Sequence, residues 1–383
     1  MRNFLKSIHS VIFIVGSFLV LFSAGRFVTP NFLSQMGSVI PMGVLLLLVT
    51  ISVVYDDWFV HELIFFVMLI MYEVVLYIHT RVAQPMYLTL MIISMRRITP
   101  DTIMRNVFIV QTALLFVNLT LYHFGLLYNF TSGPVTKHSY GFWTPNQLGV
   151  TVLQLAVILL ILSSKGYFYK KAFTFKLIAM IYFSLLMVLL YLSGSRGSEI
   201  VTVVAIAIFA SLRIAKKLKK IPLRIFFSIL AVLPFFISLL TLNSSVNQVG
   251  TPLYKLNMLL TTRIALGNQF YQQYGVTLFG QNVVYHLGAS AGVAYAFLDN
   301  EYLVYLINYG LLATALFVGY IILLTNKAIV TKRYELLIAI LTFAVYGFVE
   351  QGAGEAWVNF SLLFISIFFI QNNAAVSQTK MEV

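Results

Sequence analysis

An all-α polytopic membrane protein is the fold class that three observations predict. The 383 residues are 60% hydrophobic and only 10% charged, against about 25% charged in soluble domains. Mean hydropathy is +0.91. Apolar runs long enough to cross ~30 Å of hydrocarbon recur from one end of the chain to the other.

Twelve spans can be drawn, over residues 8–25, 36–55, 58–78, 82–95, 103–127, 147–163, 174–192, 198–215, 225–243, 299–325, 334–350 and 356–371. No small-residue cleavage site and polar region follow the first, which is therefore expected to be a retained helix, not a removed signal. The fourth is short for a simple crossing. No repeat or low-complexity linker divides the chain, so residues 1–383 are expected to form a single membrane domain. Helices 1–9 fill 1–242, a long outward loop fills 243–298, and helices 10–12 with a short tail fill 299–383. Within that loop Leu253, Leu256, Leu260 and Ile264 recur at the spacing of one helical face, which suits an amphipathic helix on the membrane surface. Arg263 sits at the edge of that face, and Gly275, Gly280, Gly288 and Gly292 then break the segment into turns.

The formal charge is +13, and its distribution argues against nucleic acid as a partner. With both termini inside, all but six of the 25 Lys and Arg residues fall on the cytoplasmic side. The exceptions are Arg26, Arg81, Lys137, Arg196, Lys255 and Arg263. The positive-inside rule predicts this bias, and the opposite orientation would reverse it. The run "RIAKKLKKIPLR" is then an orientation anchor beside anionic headgroups. No cysteine is present, which excludes disulfides, thiolate metal sites and thiol nucleophiles.

Sidedness also sorts the polar groups with chemical potential. Lys137, His138 and Asn146 lie in one outer loop, residues 193–199 ("SGSRGSE") in the next, and Arg263 and His286 in the long one. Asp299, Asn300 and Glu301 open the tenth span, and Glu350 and Glu355 flank the last outer turn. One face collects them all, as an active site or cavity open to the outside would require.

Arg196 has two readings. An interfacial arginine can snorkel to the headgroups at little cost. Alternatively, Gly194 and Gly197 let backbone approach a ligand, and the following helix N-terminus joins the guanidinium in an anion site. Ser193, Ser195 and Ser198 are reasonable caps for that helix. Arg263 is either a solvated residue of its helix or a second anion binder, since guanidinium grips phosphate oxygens bidentately. Asp299 and Glu301, at i and i+2, would diverge on a helix and could share a metal only from a non-helical start. A base, a contact to sugar hydroxyls, or placement by the helix dipole are the other options. Glu73 is intramembrane and is read as an interhelical hydrogen bond or a relay group. His61, Glu62, His79 and His123 also lie in or near the early spans. No H-E-x-x-H, phosphate-binding glycine loop or Ser/His/Asp ordering occurs.

Four segments taken in order resemble the O-antigen ligase/polysaccharide polymerase superfamily of bacterial envelopes. They are "YGFWTPNQLG" (140–149), "SGSRGSEI" (193–200), "TTRIALGNQFYQQYGVTLFGQ" (261–281) and "DNEYLVYLINYGLLATALF" (299–317). The C-terminal "YGFVEQGAGEAWVNFSLL" is similar to these polymerases too. The resemblance covers about residues 138–367; the first five spans carry no recognised motif. It implies a polytopic GT-C-type glycosyltransferase of the cytoplasmic membrane that uses undecaprenyl-diphosphate-linked oligosaccharides as donor and acceptor on the outer face. By resemblance, Arg196 and Arg263, with Ser195, would hold the donor pyrophosphate. Asp299, Glu301 and His286 would be the candidates for catalysis, and Asn146, His138, Asn300 and Glu350 for glycan contact. No metal or other cofactor is implied, and the partners would be membrane lipids and the flippase and chain-length regulator of the same pathway. Ligases carry His where Asp299 stands, which tilts the expectation toward a Wzy-type repeat-unit polymerase making capsule, exopolysaccharide or O-antigen. The rivals are ligase-like transfer to another acceptor, a lipid-linked-glycan flippase or other transporter, and a structural scaffold. A transporter should show related halves and midplane polar groups, which this chain does not.

Overall fold

A computed structural model describes residues 2–25, 27, 39–132, 137–215, 220–242, 249–260, 262–285 and 297–369. Almost all of them are helical, and each of the twelve apolar runs holds a helix. In order these are α1 (Arg2–Ser23), α2 (Val39–Tyr55), α3 (Val60–Thr80), α4 (Gln84–Met95) and α5 (Pro100–His123). A small antiparallel pair, β1 (Thr131–Ser132) and β2 (Lys137–His138), precedes α6 (Pro145–Ser164), α7 (Phe173–Ser193), α8 (Arg196–Ala215) and α9 (Lys220–Leu240). The long segment after α9 contributes α10 (Pro252–Leu259) and α11 (Arg263–Tyr274). Then come α12 (Gly310–Val330), α13 (Leu336–Val349) and a short apolar helix, Phe360–Phe369.

Among the described residues, seven helices are long and apolar enough to cross a membrane: α1, α3, α5, α6, α7, α9 and the run Glu301–Val330. The helices α2, α4, α13 and Phe360–Phe369 are apolar but shorter, and α8 carries Arg196 and Glu199 in its first turn. Three helices start on the same dipeptide. Thr99, Thr144 and Thr251 each accept a hydrogen bond from the N–H three residues ahead, and each is followed by Pro, which needs no partner for a missing N–H. Helices α6 and α13 form the buried centre, whereas α3 and α7 leave most of their apolar side chains exposed. Exposed apolar faces of that extent suit hydrocarbon as the surrounding solvent.

Two parts of the chain depart from the predicted elements. The amphipathic face expected on one helix is divided between α10 and α11, because the chain turns through a left-handed Thr262 (φ 65°). Leu260 and Ile264 are buried in the protein core, with Leu253 and Leu256 packed against it. The second departure is the tenth apolar run. It begins as Glu301–Leu303, widens into a π-helical turn over Val304–Tyr309, and breaks at Gly310 (φ 85°). The segment 277–281 satisfies the backbone groups this releases. The Gln281 N–H donates to Asn308 O (2.8 Å), and the N–H groups of Leu311 and Leu312 donate to Thr277 O and Leu278 O. Gly280 and Gly310 allow that approach: a Cβ on either would strike the other strand's backbone.

Charged residues mark the two ends of the bundle. At the end away from α10 and α11, Arg96 is wholly buried between Asp56 (Nε to Oδ2, 3.4 Å) and Glu62, with its guanidinium 3.5 Å over the Trp58 ring. Arg97 reaches Glu62 (3.4 Å) and the carbonyl of Phe369. Nearby, Asp101 pairs with Lys165 and Arg333, and Glu335 with Arg333. Truncating one member of a buried ion cluster strands the others. Arg96→Ala is expected to lower stability by ~3–5 kcal/mol, read as thermal unfolding in detergent micelles. Adding Asp56→Asn and Glu62→Gln to it should recover much of the loss.

Candidate functional site

The serine–glycine stretch between α7 and α8 is a tight interhelical turn. Gly194 adopts φ 66° and closes α7, helped by Ser193 Oγ, which donates to Leu190 O (2.6 Å) and accepts from Ser195 N–H (3.1 Å). Ser195 is fully buried; its Oγ donates to Asn146 Oδ1 (3.3 Å) and lies 3.2 Å from Ser198 Oγ. These hydroxyls brace the turn against α6. Gly149 makes the packing possible, since a Cβ there would lie 2.5 Å from Ser195 Oγ and 2.6 Å from its Cβ. Arg196 is left exposed at the first position of α8.

Four other segments converge on that helix start. Asn146, in the first turn of α6, donates from Nδ2 to Glu350 Oε2 (3.0 Å). Glu350 directly follows α13 and is only 4% exposed. Arg263 opens α11: its Nε pairs with Asp299 Oδ2 at 3.2 Å and its Nη1 lies 2.7 Å from Glu350 Oε1. Lys137 on β2 comes beside Gly194. Together Lys137, Asn146, Arg196, Gly197, Arg263 and Glu350 line a cleft with a free volume of about 20 Å³, room for roughly one water. Asp299 stands at its edge through Arg263.

The electrostatics are lopsided. Among the described residues Arg196 and Lys137 have no carboxylate within 4 Å, while Arg263 has two. Burial pushes Glu350 up to about 7, with Arg263 opposing the rise. Burial likewise raises Asp299, again against Arg263. Burial alone would lower Arg263, but Glu350 and Asp299 outweigh it and hold the guanidinium above its ordinary range. One guanidinium thus serves two carboxylates that burial raises above their ordinary range. Arg196 and Lys137 sit next to them, and Lys137 also opposes the rise of both carboxylates.

The other predicted residues fall elsewhere. Asn300 caps the turn that follows by accepting from Leu303 N–H (3.2 Å), and its Nδ2 donates to Ser238 Oγ. Glu301 is buried with its carboxylate on Gly352 N–H, so Asp299 and Glu301 diverge from a non-helical start. His138 Nδ1 accepts from Asn129 Nδ2 at 2.8 Å and braces the β1–β2 hairpin. His286 lies outside the described residues. Glu73 receives the hydroxyl of Thr89 (3.2 Å), a bond between α3 and α4. No group of three or more His, Asp or Glu residues is arranged to hold a metal ion among the described residues. A larger cavity, about 560 Å³ between α5, α6 and α7, is an apolar groove at the other end of the bundle. The small polar cleft holds the reactive groups.

Lys137 is the cleft residue to which the sequence assigned no role. The signal was present: three of the six cations on the minority side of the charge distribution, Lys137, Arg196 and Arg263, meet at one point.

Gly149→Ala should force the first turn of α8 away from α6 and lower stability by ~1–3 kcal/mol, the scale of overpacking. Gly319→Ala, at a site where a Cβ meets nothing within 4 Å, is the matched control and should be near neutral in the same thermal unfolding measurement.

Comparison with protein-family models, with curated proteins and with solved structures found no match in any of the three, so the chemistry of the cleft is the guide to what this protein does.

Proposed function

We propose that the chain is a twelve-pass glycosyltransferase of the bacterial cytoplasmic membrane. It would polymerise lipid-linked oligosaccharide repeat units on the outer face, with a GT-C-type architecture. The observation that carries this reading is the convergence of Arg196, Lys137 and Arg263 with the carboxylates Glu350 and Asp299 in one cleft. Cations left without carboxylates at a helix N-terminus favour a multiply charged anion such as a diphosphate. The neighbouring carboxylates can take a proton. A reaction that needs both is displacement of a diphosphate by a hydroxyl.

The acceptor hydroxyl oxygen attacks the anomeric carbon of the donor glycan. The bond from that carbon to the diphosphate oxygen breaks, and the electron pair leaves with undecaprenyl diphosphate. A cleft carboxylate takes the hydroxyl proton, an effect typically worth about 10²–10⁴-fold. Arg196, Lys137 and Arg263 stabilise the charge that grows on the leaving diphosphate. Energy already stored in the donor linkage makes a nucleotide unnecessary.

Replacing Arg196 with Ala, in protein that still inserts stably, should reduce polymer formation from purified lipid-linked repeat units by about 10²–10³-fold. Lys137→Ala should reduce it less, since it removes a point charge and not a bidentate fork. Polymer of normal length and yield from both variants would refute the reading. Accumulation of lipid-linked units in the inner leaflet after deletion would point to a flippase instead. The absence of cysteine gives a clean background for testing sidedness. A single cysteine at Trp143, which is 54% exposed beside the cleft end, should react with an impermeant maleimide on intact cells. One at Lys171 should react only after permeabilisation.

A further inference from the structure

The position in the cleft best suited to an anion is already held by a carboxylate of the protein. Glu350 Oε1 lies 2.7 Å from Arg263 Nη1, whose other N–H donates to the carbonyl of Val349. Oε1 is buried, and its partner is the Arg263 guanidinium. It rests against the first turn of α8, where a Cβ on Gly197 would come within 2.7 Å of it. Oε2, by contrast, is tethered to Asn146 Nδ2, and Asn146 is itself held by Ser195. One oxygen is tied to the cleft wall and the other to the guanidinium. Arg263 shows the complementary division. Its Nε is fixed on Asp299, leaving the Nη1 contact to Glu350 free to exchange without the guanidinium losing its orientation.

We propose that Glu350 is a resident counter-anion which the donor's diphosphate displaces from Arg263, and that this displacement frees the Glu350 carboxylate to take the acceptor's hydroxyl proton. The proposal rests on the polymerase reading above and adds a coupling between donor binding and the appearance of the base. A diphosphate offers Arg263 more charge and a bidentate contact, which a carboxylate that meets it through one oxygen does not match. Asn146 keeps the released carboxylate at the cleft wall. In the resting state the base is neutralised and the cleft has room for about one water. The device limits hydrolysis of the donor, because the base is unmasked only when diphosphate fills the cleft.

Linkage gives a pH signature. The charged and titratable groups facing Glu350 are Arg263 on α11, Asp299, Lys137 on β2, Arg196 on α8 and the Tyr346 phenol on α13. Burial lifts Glu350 toward neutrality and Arg263 opposes it. As pH falls through that region, Glu350 takes up a proton and releases Arg263, so diphosphate binding should strengthen. The ligand's own titration, with a pKa of about 6 for its last proton, acts in the opposite direction.

The test uses the full-length protein in detergent micelles with farnesyl diphosphate as the probe. Glu350→Gln keeps the shape of the side chain and its bond to Asn146 but removes the competing charge. It should bind the probe about tenfold more tightly than wild type, while polymerisation of lipid-linked units falls at least about 100-fold. Wild-type affinity should weaken between about pH 6 and about pH 8, and the Glu350→Gln variant should lose that dependence. If Glu350→Gln does not insert stably, the wild-type pH series decides alone. Probe binding that depends on Arg196 but is no tighter in Glu350→Gln, or wild-type affinity that does not weaken with rising pH, overturns the displacement and leaves the polymerase reading standing. Failure of wild type to bind the probe at all overturns both.

Discussion

Arg263 is the side chain on which the cleft end of the bundle depends. It stands at the start of α11, pairs with Asp299 just ahead of the Glu301 turn, and reaches Val349 O and Glu350 at the end of α13. Three segments far apart in sequence therefore meet on one guanidinium. Its burial is tolerable because two carboxylates and a carbonyl replace the water it loses; a lone buried charge of that size would be expelled or neutralised. The left-handed Thr262 makes this geometry, since it ends α10 and turns α11 so that its first residue points into the bundle. The charge is located by a turn, and the turn is held in place by the charge.

A second constraint is the satisfaction of irregular backbone inside an apolar bundle. Freed N–H and C=O groups cannot turn to lipid, so broken helices persist only where protein supplies partners. The break at Gly310 meets that requirement through segment 277–281, whose backbone pairs with residues 308–312 across two glycines. The bend after α13 meets it through Glu301, which accepts from Gly352 N–H, and through Asn359, whose side chain caps the following turn and donates to Ala353 O. Glu301, a residue with the credentials of a catalytic acid, is thereby committed to holding Gly352. That bend carries Glu350 at its start, so these structural bonds fix the height at which Glu350 enters the cleft.

The positions of the helices were legible because hydrophobicity in 17- to 25-residue runs is a signal that burial and lipid exposure both reinforce. Helix starts were legible as well, since Thr–Pro at 99–100, 144–145 and 251–252 combines a cap with a residue that needs no N–H partner. Less was readable where contacts are long-range. The Leu253–Ile264 periodicity is genuine, yet nothing local reveals that Thr262 interrupts it or that protein core, not a membrane surface, receives Leu260 and Ile264. The roles of Asn300 and Glu301 were equally hidden: their partners, Ser238 and Gly352, lie far off in the chain. Ser195 looked like a helix cap or an anion ligand from its neighbours, and its hydroxyl instead steadies Asn146. The convergence of Arg196, Arg263, Asn146 and Glu350 was anticipated only as membership of one face. The distances that turn that membership into a cleft come from packing.

The two ends of the bundle treat their cations differently, and that contrast bears on function more than any single residue does. At the far end Arg96 is matched by Asp56 and Glu62, and Lys165 and Arg333 by Asp101 and Glu335. Such internally neutralised clusters fasten helices together and have little charge left for a ligand. At the cleft end, Arg196 and Lys137 have no carboxylate within 4 Å among the described residues, and Arg263 meets Glu350 through a single carboxylate oxygen. Cations fastened to carboxylates have no charge to spare for another partner. Arg196 and Lys137, gathered beside Arg263 with no carboxylate within 4 Å among the described residues, leave positive charge facing the cleft, the condition an anion needs to bind there.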